Sequence, residues 1–327
     1  MKSTVITSII VALCLLIIPF SGLGSGQTAK ETSAAAPYAP YFSDNGGVST
    51  DEAGDVYFRI KTDEGITEMP ADDYIFGVVA AEMSPLSPKE ALKAQCVAAY
   101  SFALYRKSAR QSEEYDLTDS YKTDQSYLSD EKLRERWGEN YDSYAGNIRT
   151  ALGEVGGEYL SCGGAPALAL YHALSSGKTN ACEQVFGSGK PYLVSVESEC
   201  DKLSPDYKSV FSFSADELKA KLSSVCGTAG EGNIFSDVKT SDSGLVLSLN
   251  CGENTVSGGT VAALLELPSA TFSIEYAENA YTFTCLGRGH GVGMSQYGAE
   301  YLAKGGSTYR EILSHYYKGA ELHLTKN

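Results

Sequence analysis

The chain has 327 residues, enough for one large domain or two ordinary ones. Its 26 basic and 41 acidic residues give a net charge of −15. This charge argues against a nucleic-acid partner and against binding to an anionic membrane surface, because both require a surplus of lysine and arginine. We therefore expect a neutral or weakly charged substrate.

The N-terminus carries a mostly apolar run from Val5 to Phe20, preceded by Lys2. Its length suits both a cleaved signal peptide and a membrane span, so both alternatives stay open. No clear A-x-A cleavage site follows, which favours an uncleaved anchor over residues 1–25. Cys14 is interpreted as part of this span. The rest of the chain is then expected outside the cytoplasm, in a single-pass membrane protein or in a secreted one.

Residues 26–55 are rich in alanine, serine, glycine, proline and acidic residues, and they are predicted to form a flexible linker. The alternating strand-like segment VYFRI opens at Val56, and residues 56–327 are predicted to form one large domain. The apolar segment that follows, from Asp72 to Met83, is predicted to be a helix or a strand that ends near Glu82.

The clearest helix signal comes next, with Ser87 as N-cap, Pro88 at the first helical position and Glu90 at the third. The helix is predicted to extend to about Ala109. Its apolar residues, many of them small, surround most of the helix, which predicts burial on most sides.

The remaining elements are mixed helices and short strands. In chain order we predict a short helix near Asp130–Trp137, strands over Ile148–Leu160 and Ala167–His172, a helix over Ser214–Ser223 with Ser214 as its cap, a helix over Ser295–Lys304, and a capping box at Thr308. This order shows no βαβ rhythm, so the predicted class is α+β.

Seven cysteines lie beyond Cys14, so at least one must be free or bound to a metal. No C-x-x-C pair occurs, which excludes a ready-made zinc knuckle. Cys182 and Cys200, together with His172, could form a zinc site, or the two cysteines could form a disulfide; both alternatives stay open. Cys96 as a nucleophile is disfavoured, because a thiol in the middle of an apolar helix is normally buried and inert.

Glu82 is the leading candidate acid. It follows the uncharged run from Ile75 to Ala81, so its carboxyl group is expected to be half-buried with a raised pKa, which suits a general acid. The alternative is a glutamate that precedes a helix and lies in water.

Two of the four histidines fall in turns rich in glycine and serine. His172 closes a predicted strand, and its alternative role is a core-edge histidine bonded to the backbone. His290 lies among glycines at positions 287, 289, 291 and 293, which allow a backbone to approach another group closely. We expect His290 to face a ligand, the alternative being a turn histidine without a partner.

Several motifs together resemble the stage II sporulation protein D family. They are Gly77–Met83 followed by Pro88–Gln95, the turn Tyr171–Thr179, the segment Pro191–Val196, the block Gly289–Ala299 and the segment Ile312–Tyr317. The matches extend from about residue 70 to 322. The sequence departs from the family pattern at Tyr100, where the family has arginine, and at Ala173 and Ser176.

The resemblance implies a lytic transglycosylase that cuts peptidoglycan between N-acetylmuramic acid and N-acetylglucosamine. It implies a preference for strands already stripped of stem peptides by an amidase of the stage II sporulation protein P type, during forespore engulfment. The catalytic glutamate of the family corresponds to Glu82, which would protonate the glycosidic oxygen and then take the proton of the muramic C6 hydroxyl. No second carboxylate is needed for these two proton-transfer steps.

The expected lining of the glycan groove comprises His172, Ser175, Lys178, Thr179, Arg288, His290 and Gln296, with Gln125 and Tyr127 as weaker candidates. No cofactor is expected to be required, although zinc on cysteine and histidine stays open. Two other functions are retained: a non-catalytic glycan-binding module that stimulates an amidase, and a zinc- or thiol-dependent peptidase. The absence of C-x-x-C and H-E-x-x-H motifs counts against the peptidase.

Overall fold

A computed structural model describes residues 56–228 and 232–325. The expected anchor (residues 1–25) and linker (residues 26–55) lie outside these described residues. Among the residues that are described, no helix combines the length and the apolar character that crossing a membrane requires.

Helices and short strands are mixed along the chain, in agreement with the α+β class. The helices are α1 (Ala71–Glu82), α2 (Lys89–Ala109), α3 (Asp130–Trp137), α4 (Tyr141–Val155), α5 (Cys182–Phe186), α6 (Ala215–Leu222), α7 (Gly258–Leu264), α8 (Gln296–Lys304) and α9 (Tyr309–Tyr316). Two short 3₁₀ helices cover Gly138–Asn140 and Glu199–Leu203.

The strands are short and form several small sheets. They are β1 (Tyr57–Thr62), β2 (Gly65–Pro70), β3 (Leu117–Thr118), β4 (Glu158–Cys162), β5 (Ala165–Pro166), β6 (Tyr171–His172), β7 (Lys208–Ser214), β8 (Phe235–Thr240), β9 (Val246–Cys251), β10 (Asn254–Val256), β11 (Phe272–Ala277), β12 (Ala280–Leu286), β13 (Met294–Ser295) and β14 (Glu321–Leu324). The sheet orders are β2-β1-β3, β10-β9-β8, β11-β12-β7, β13-β6 and β14-β4-β5.

The larger hydrophobic core surrounds α2, which contacts α1, α4, α8, α9 and β4. Alanines such as Ala94 and Ala98 are fully buried and let neighbouring helices approach closely, while Leu92 and Val97 fill the spaces between them. The prediction that this helix is buried on most sides is confirmed. The large core therefore holds α1 in place, and with it the residue at its end, Glu82.

A second hydrophobic core lies between Lys208 and Leu286, where β7 to β12 pack with α6 and α7. A disulfide between Cys226 and Cys251 lies in this part of the chain. Its first and last strands pair with each other, so that Lys208 lies opposite Leu286. This inserted unit therefore returns the chain to the place it left, and it brings residues after 287 back to the turn after His172.

One predicted strand is wrong in its first two-thirds. Residues Ile148 to Val155 form the second half of α4, and the strand β4 begins only at Glu158. Ile148, Leu152 and Val155 repeat at helical spacing and are buried, and Gly156 then ends the helix in a left-handed conformation with φ of 57°. The predicted strand Ala167–His172 is likewise shorter, with β6 limited to Tyr171–His172.

The N-cap predicted at Ser87 is also wrong. Pro88 itself occupies the N-cap position, without a side-chain cap. The Ser87 hydroxyl instead donates to Glu300 at 2.5 Å, and the Glu90 carboxylate accepts the backbone N–H of Tyr309 at 2.8 Å. Both groups thus join α2 to the C-terminal helices. The caps predicted at Ser214 and Thr308 are confirmed, the latter as a full capping box.

Candidate active site

Glu82 is the last residue of α1 and its side chain is half-buried. Its Oε1 atom accepts the backbone N–H of Ser126 at 3.1 Å. Burial raises the pKa of Glu82 above its ordinary value of 4.5, and hydrogen bonding by Ser126 and by the Gln296 side chain partly opposes that rise. The negative end of the α1 dipole acts in the same direction as burial. The expected half-buried carboxyl group with a raised pKa is therefore present.

The segment that carries Ser126 crosses α1 at Gly77. The Leu128 N–H donates to the Gly77 carbonyl at 3.3 Å, and a Cβ atom at position 77 would lie only 2.6 Å from the Leu128 carbonyl oxygen. The Tyr127 ring stacks on Tyr74, with ring centroids 5.6 Å apart. The absence of a side chain at position 77 thus allows this segment to reach the Glu82 carboxylate.

Gln125 and Tyr127 both lie in this crossing segment. Gln125 is buried, and its amide donates to the Ala99 carbonyl at 3.4 Å while its carbonyl accepts the Tyr171 hydroxyl at 2.8 Å. Tyr127 is half-buried against α1. The structure therefore places both residues beside Glu82, with the Gln125 side chain bonded to other parts of the protein.

Gln296 reaches Glu82 from the other end of the chain. The parallel pair β6 and β13 aligns His172 with Ser295, so the first residue of α8, Gln296, follows directly. Its side-chain amide lies close enough to Glu82 to lower the pKa of that carboxyl group. Its Nε2 atom is buried and makes no hydrogen bond of ordinary geometry. Gln296 thus offers a buried donor next to the acid.

The alternating glycines allow the block after β12 to pack tightly on the turn after His172. Gly287, Gly289, Gly291 and Gly293 all have positive φ, between 74° and 96°. A Cβ atom at position 287 would lie 2.7 Å from the Leu174 carbonyl oxygen. The group that the glycine backbone approaches is therefore another segment of the same chain, and the contact fixes His290 against His172.

His172 is buried, with 4% of its surface exposed, and its Nδ1 lies 3.1 Å from the Val292 carbonyl oxygen. Because a carbonyl oxygen only accepts, Nδ1 carries the proton and Nε2 carries a lone pair. That Nε2 atom is buried and has no hydrogen-bond partner among the described residues. Burial lowers the pKa of His172 to about 4, so the ring is neutral near pH 7.

His290 is also neutral, because burial and the neighbouring His172 lower its pKa to about 3. Its Nδ1 accepts the Val292 N–H at 3.0 Å, and its ring lies 5.8 Å from His172 and 5.5 Å from Phe186. His290 therefore has a partner, and its ring supports the turn beside His172.

Three other expected groove residues are bonded to the turn itself or to the neighbouring residues 196–197. Ser175 is buried and its Oγ accepts the Gly177 N–H at 3.1 Å, and the buried Thr179 hydroxyl accepts the Val196 N–H at 2.9 Å. Lys178 is half-buried and forms an ion pair with Glu197 at 3.2 Å. The structure thus brings these residues near His172, each already bonded to another part of the protein.

Sequence reasoning missed Asp201, a fully buried carboxylate that no basic residue pairs among the described residues. Its Oδ2 accepts the Ser175 N–H at 2.8 Å and its Oδ1 accepts the Ser295 hydroxyl at 3.0 Å. Burial raises its pKa above the ordinary value. In the sequence Asp201 stands among charged residues that resemble a solvated turn, so only the fold shows that it joins the His172 turn to the start of α8.

The cysteines are the last sequence candidates to place, and two of them are poorly suited to act as nucleophiles. Burial raises the pKa of the Cys96 thiol to about 12 and that of Cys182 to about 11. Cys182 and Cys200 are both free thiols, so they do not form a disulfide. No group of three or more His, Cys, Asp or Glu side chains in residues 56–228 and 232–325 is placed to hold a metal ion.

The chain is a member of the SpoIID family, whose model, described as stage II sporulation protein, matches residues 60–161. The chain is similar to stage II sporulation protein D of Bacillus subtilis (strain 168), with 32% identity over 315 residues, 94% of this chain and 90% of that protein.

Two further relatives extend the comparison. Stage II sporulation protein D of Bacillus amyloliquefaciens is 33% identical over 264 residues, which cover 80% of this chain and 76% of that protein. A protein named amidase enhancer, from Bacillus subtilis (strain 168), is 26% identical over 298 residues, covering 75% of this chain and 40% of its own length.

Proposed function

We propose that this protein is a peptidoglycan lytic transglycosylase that cuts glycan strands between N-acetylmuramic acid and N-acetylglucosamine, with Glu82 as the acid and base. The observation that carries the proposal is the half-buried Glu82 carboxyl group, whose pKa is raised by burial without a contribution from any charged neighbour. A carboxyl group with a raised pKa keeps its proton to a higher pH than an exposed one, which suits a general acid.

The surroundings of Glu82 match the two halves of such a reaction. In the first half the carboxyl group protonates the glycosidic oxygen as that bond breaks, and it becomes a carboxylate. The Ser126 N–H and the Gln296 amide then stabilise the negative charge. In the second half the carboxylate accepts the proton of the muramic C6 hydroxyl, whose oxygen bonds to the anomeric carbon and closes a 1,6-anhydro ring.

His172 is suited to orient the sugar. Its Nε2 lone pair is buried without a partner, and a sugar hydroxyl or acetamido N–H would supply the missing donor. An unsatisfied buried acceptor costs about 1–3 kcal/mol, so a substrate that satisfies it gains a comparable advantage. Because His172 is neutral near pH 7, we assign it a hydrogen-bonding role rather than an electrostatic one.

The proposal is tested by digesting glycan strands freed of stem peptides with the purified full-length protein and identifying the products by mass. We expect 1,6-anhydromuramic ends from the wild type and a loss of about 10²- to 10⁴-fold in their rate of release for Glu82→Gln. The matched control is Glu275→Gln, at an exposed glutamate on β11. Full release by the Glu82 variant would refute the assignment.

We also propose the cellular setting from the relatives named stage II sporulation protein D: remodelling of the septal wall during sporulation. The apolar run Val5–Phe20 supports a single-pass membrane anchor with the catalytic part outside the cytoplasm. An amidase that strips stem peptides would be a natural partner, since it produces the preferred strand.

A second function is favoured by the similarity to the amidase enhancer. In that case the protein binds glycan and stimulates an amidase without cutting the strand. Glycan binding and amidase stimulation that persist unchanged in Glu82→Gln, without anhydro products from the wild type, would support it.

A further inference from the structure

Among the arginines that are at least half-buried in the described part of the chain, Arg288 differs from the others in having no ion-pair partner. Arg59 forms an ion pair with Asp116 at 2.7 Å, and Arg106 and Arg110 form ion pairs with Asp124 at 2.6 and 3.0 Å. Arg288 is half-buried as well, yet its guanidinium group makes no ion pair or hydrogen bond with any described residue. In a chain with 41 acidic residues, a shielded guanidinium group without a carboxylate partner is suited to bind an anion from outside the protein.

The backbone at Arg288 is fixed in position. Its N–H donates to the Leu174 carbonyl at 2.7 Å and its carbonyl accepts the Leu174 N–H at 3.1 Å. The next residue, Gly289, packs on His172, since a Cβ atom at position 289 would lie 3.1 Å from the His172 Cβ. The arginine therefore starts from a rigid point next to His172, the residue whose buried Nε2 also has no partner among the described residues.

We infer that Arg288 binds the free lactyl carboxylate of an N-acetylmuramic acid residue and so selects glycan from which the stem peptide has been removed. This inference rests on the proposed function, because it takes the glycan strand as the ligand of the site. In a peptide-bearing strand the lactyl carboxyl group is an amide without charge, whereas in a stripped strand it is a carboxylate. A guanidinium group binds a carboxylate through two parallel hydrogen bonds and has no comparable partner in the amide.

A local cation of this kind would offset the unfavourable net charge of the protein. At −15 the protein as a whole repels an anionic strand. A shielded guanidinium group beside the site overcomes that repulsion only where a carboxylate can reach it. The same protein would then discriminate against peptide-bearing glycan at this sugar.

The test measures binding to the full-length protein in the Glu82→Gln background, so that the strands stay intact. Three oligosaccharides of equal length are compared by calorimetry: a glycan oligomer with free lactyl carboxylates, the same oligomer with those carboxyl groups amidated, and a chitooligosaccharide, which lacks the lactyl group. We expect the free acid to bind more tightly than the other two by roughly 10- to 100-fold, as for a charge-assisted hydrogen bond.

Arg288→Gln should remove this preference and leave the affinity for the chitooligosaccharide unchanged. Arg288→Lys should keep part of the preference, and it also serves if the glutamine variant fails to fold. The matched control is Arg136→Gln, at an exposed arginine of α3 without an ion pair to a described residue, which should behave as the parent protein.

Three results would overturn the inference: equal affinity for the free-acid and amidated oligomers, a preference that survives in Arg288→Gln, or a preference that inorganic phosphate abolishes at concentrations equal to those of the oligomer. The last result would assign Arg288 to a phosphate ligand instead. The measurement is independent of bond cleavage. If the wild type releases no anhydro products but still prefers the free acid through Arg288, only the transglycosylase activity is refuted. If cleavage is normal but the preference is absent, only the role of Arg288 is refuted.

Discussion

Replacing Gly77 by alanine should disturb the contact that brings Ser126 to Glu82. A Cβ atom at this position would lie 2.6 Å from the Leu128 carbonyl oxygen and 2.8 Å from the Tyr127 Cδ2 atom. An ordinary separation is about 3.5 Å or more, so the crossing segment must withdraw by about 1 Å. A carbonyl oxygen of the backbone cannot move alone, and Tyr127 is held by stacking on Tyr74.

The steric cost of alanine at position 77 can be separated from the general effect of alanine on helix stability. Gly153, in the last turn of α4, has no atom within 4 Å of a Cβ built on it. Alanine should gain up to about 1 kcal/mol of helix propensity at either position. The difference between the two variants therefore isolates the steric cost at Gly77, which we expect to be about 1–3 kcal/mol.

The stability of both variants is measured by urea denaturation at pH 7, and their activity by the release of anhydro ends. Gly153→Ala should be as stable as the wild type or more so, with unchanged activity. Gly77→Ala should be less stable than Gly153→Ala. It should also lose activity by up to about 10²-fold, since a shift of about 1 Å weakens the Ser126 bond to Glu82. Equal stability and equal activity of the two variants would refute the proposed role of this crossing.

Three further outcomes are expected. Glu82→Gln should be more stable than the wild type at pH 8 but not at pH 4. Burial raises the pKa of Glu82, so the wild type loses stability as the pH rises above about 4.5. Urea denaturation at both pH values checks this, and a lower stability of the variant at pH 8 would contradict it. The pKa of His172, lowered to about 4, keeps the folded ring neutral while the unfolded one takes up a proton, so this residue should cost the wild type about 2 kcal/mol between pH 8 and pH 5. Urea denaturation of His172→Gln between pH 8 and pH 5 should show a smaller loss of the free energy of unfolding than the wild type shows. An identical loss would count against a buried neutral ring. Asp201→Ala leaves two buried donors without their acceptor and should lower the free energy of unfolding by about 2–5 kcal/mol and reduce kcat, whereas Glu199→Gln, on the same 3₁₀ helix but exposed, should change both by little; similar effects of the two substitutions would exclude the linking role of Asp201.

Local signals in the sequence predicted many helix positions correctly. The caps at Ser214 and Thr308 depend on residues only three positions apart, and the burial of α2 follows from a continuous apolar composition. Glu82 stands out as the candidate acid because it follows an uncharged run and lies in a family motif. Prediction failed where a residue has a distant partner: Ser87 resembles a cap, but its hydroxyl bonds to Glu300 on α8.

The sequence by itself therefore predicted the partly buried carboxyl group at Glu82, the class of fold and the family, because each depends on neighbouring residues or on a motif. Only the tertiary structure decided what surrounds the acid. Ser126 reaches Glu82 because Gly77 leaves room for it, and Gln296 reaches it because an inserted unit returns the chain beside His172. The physical reason is that desolvation, and the hydrogen bonds that offset it, depend on groups brought together by packing, and sequence spacing does not encode those distances.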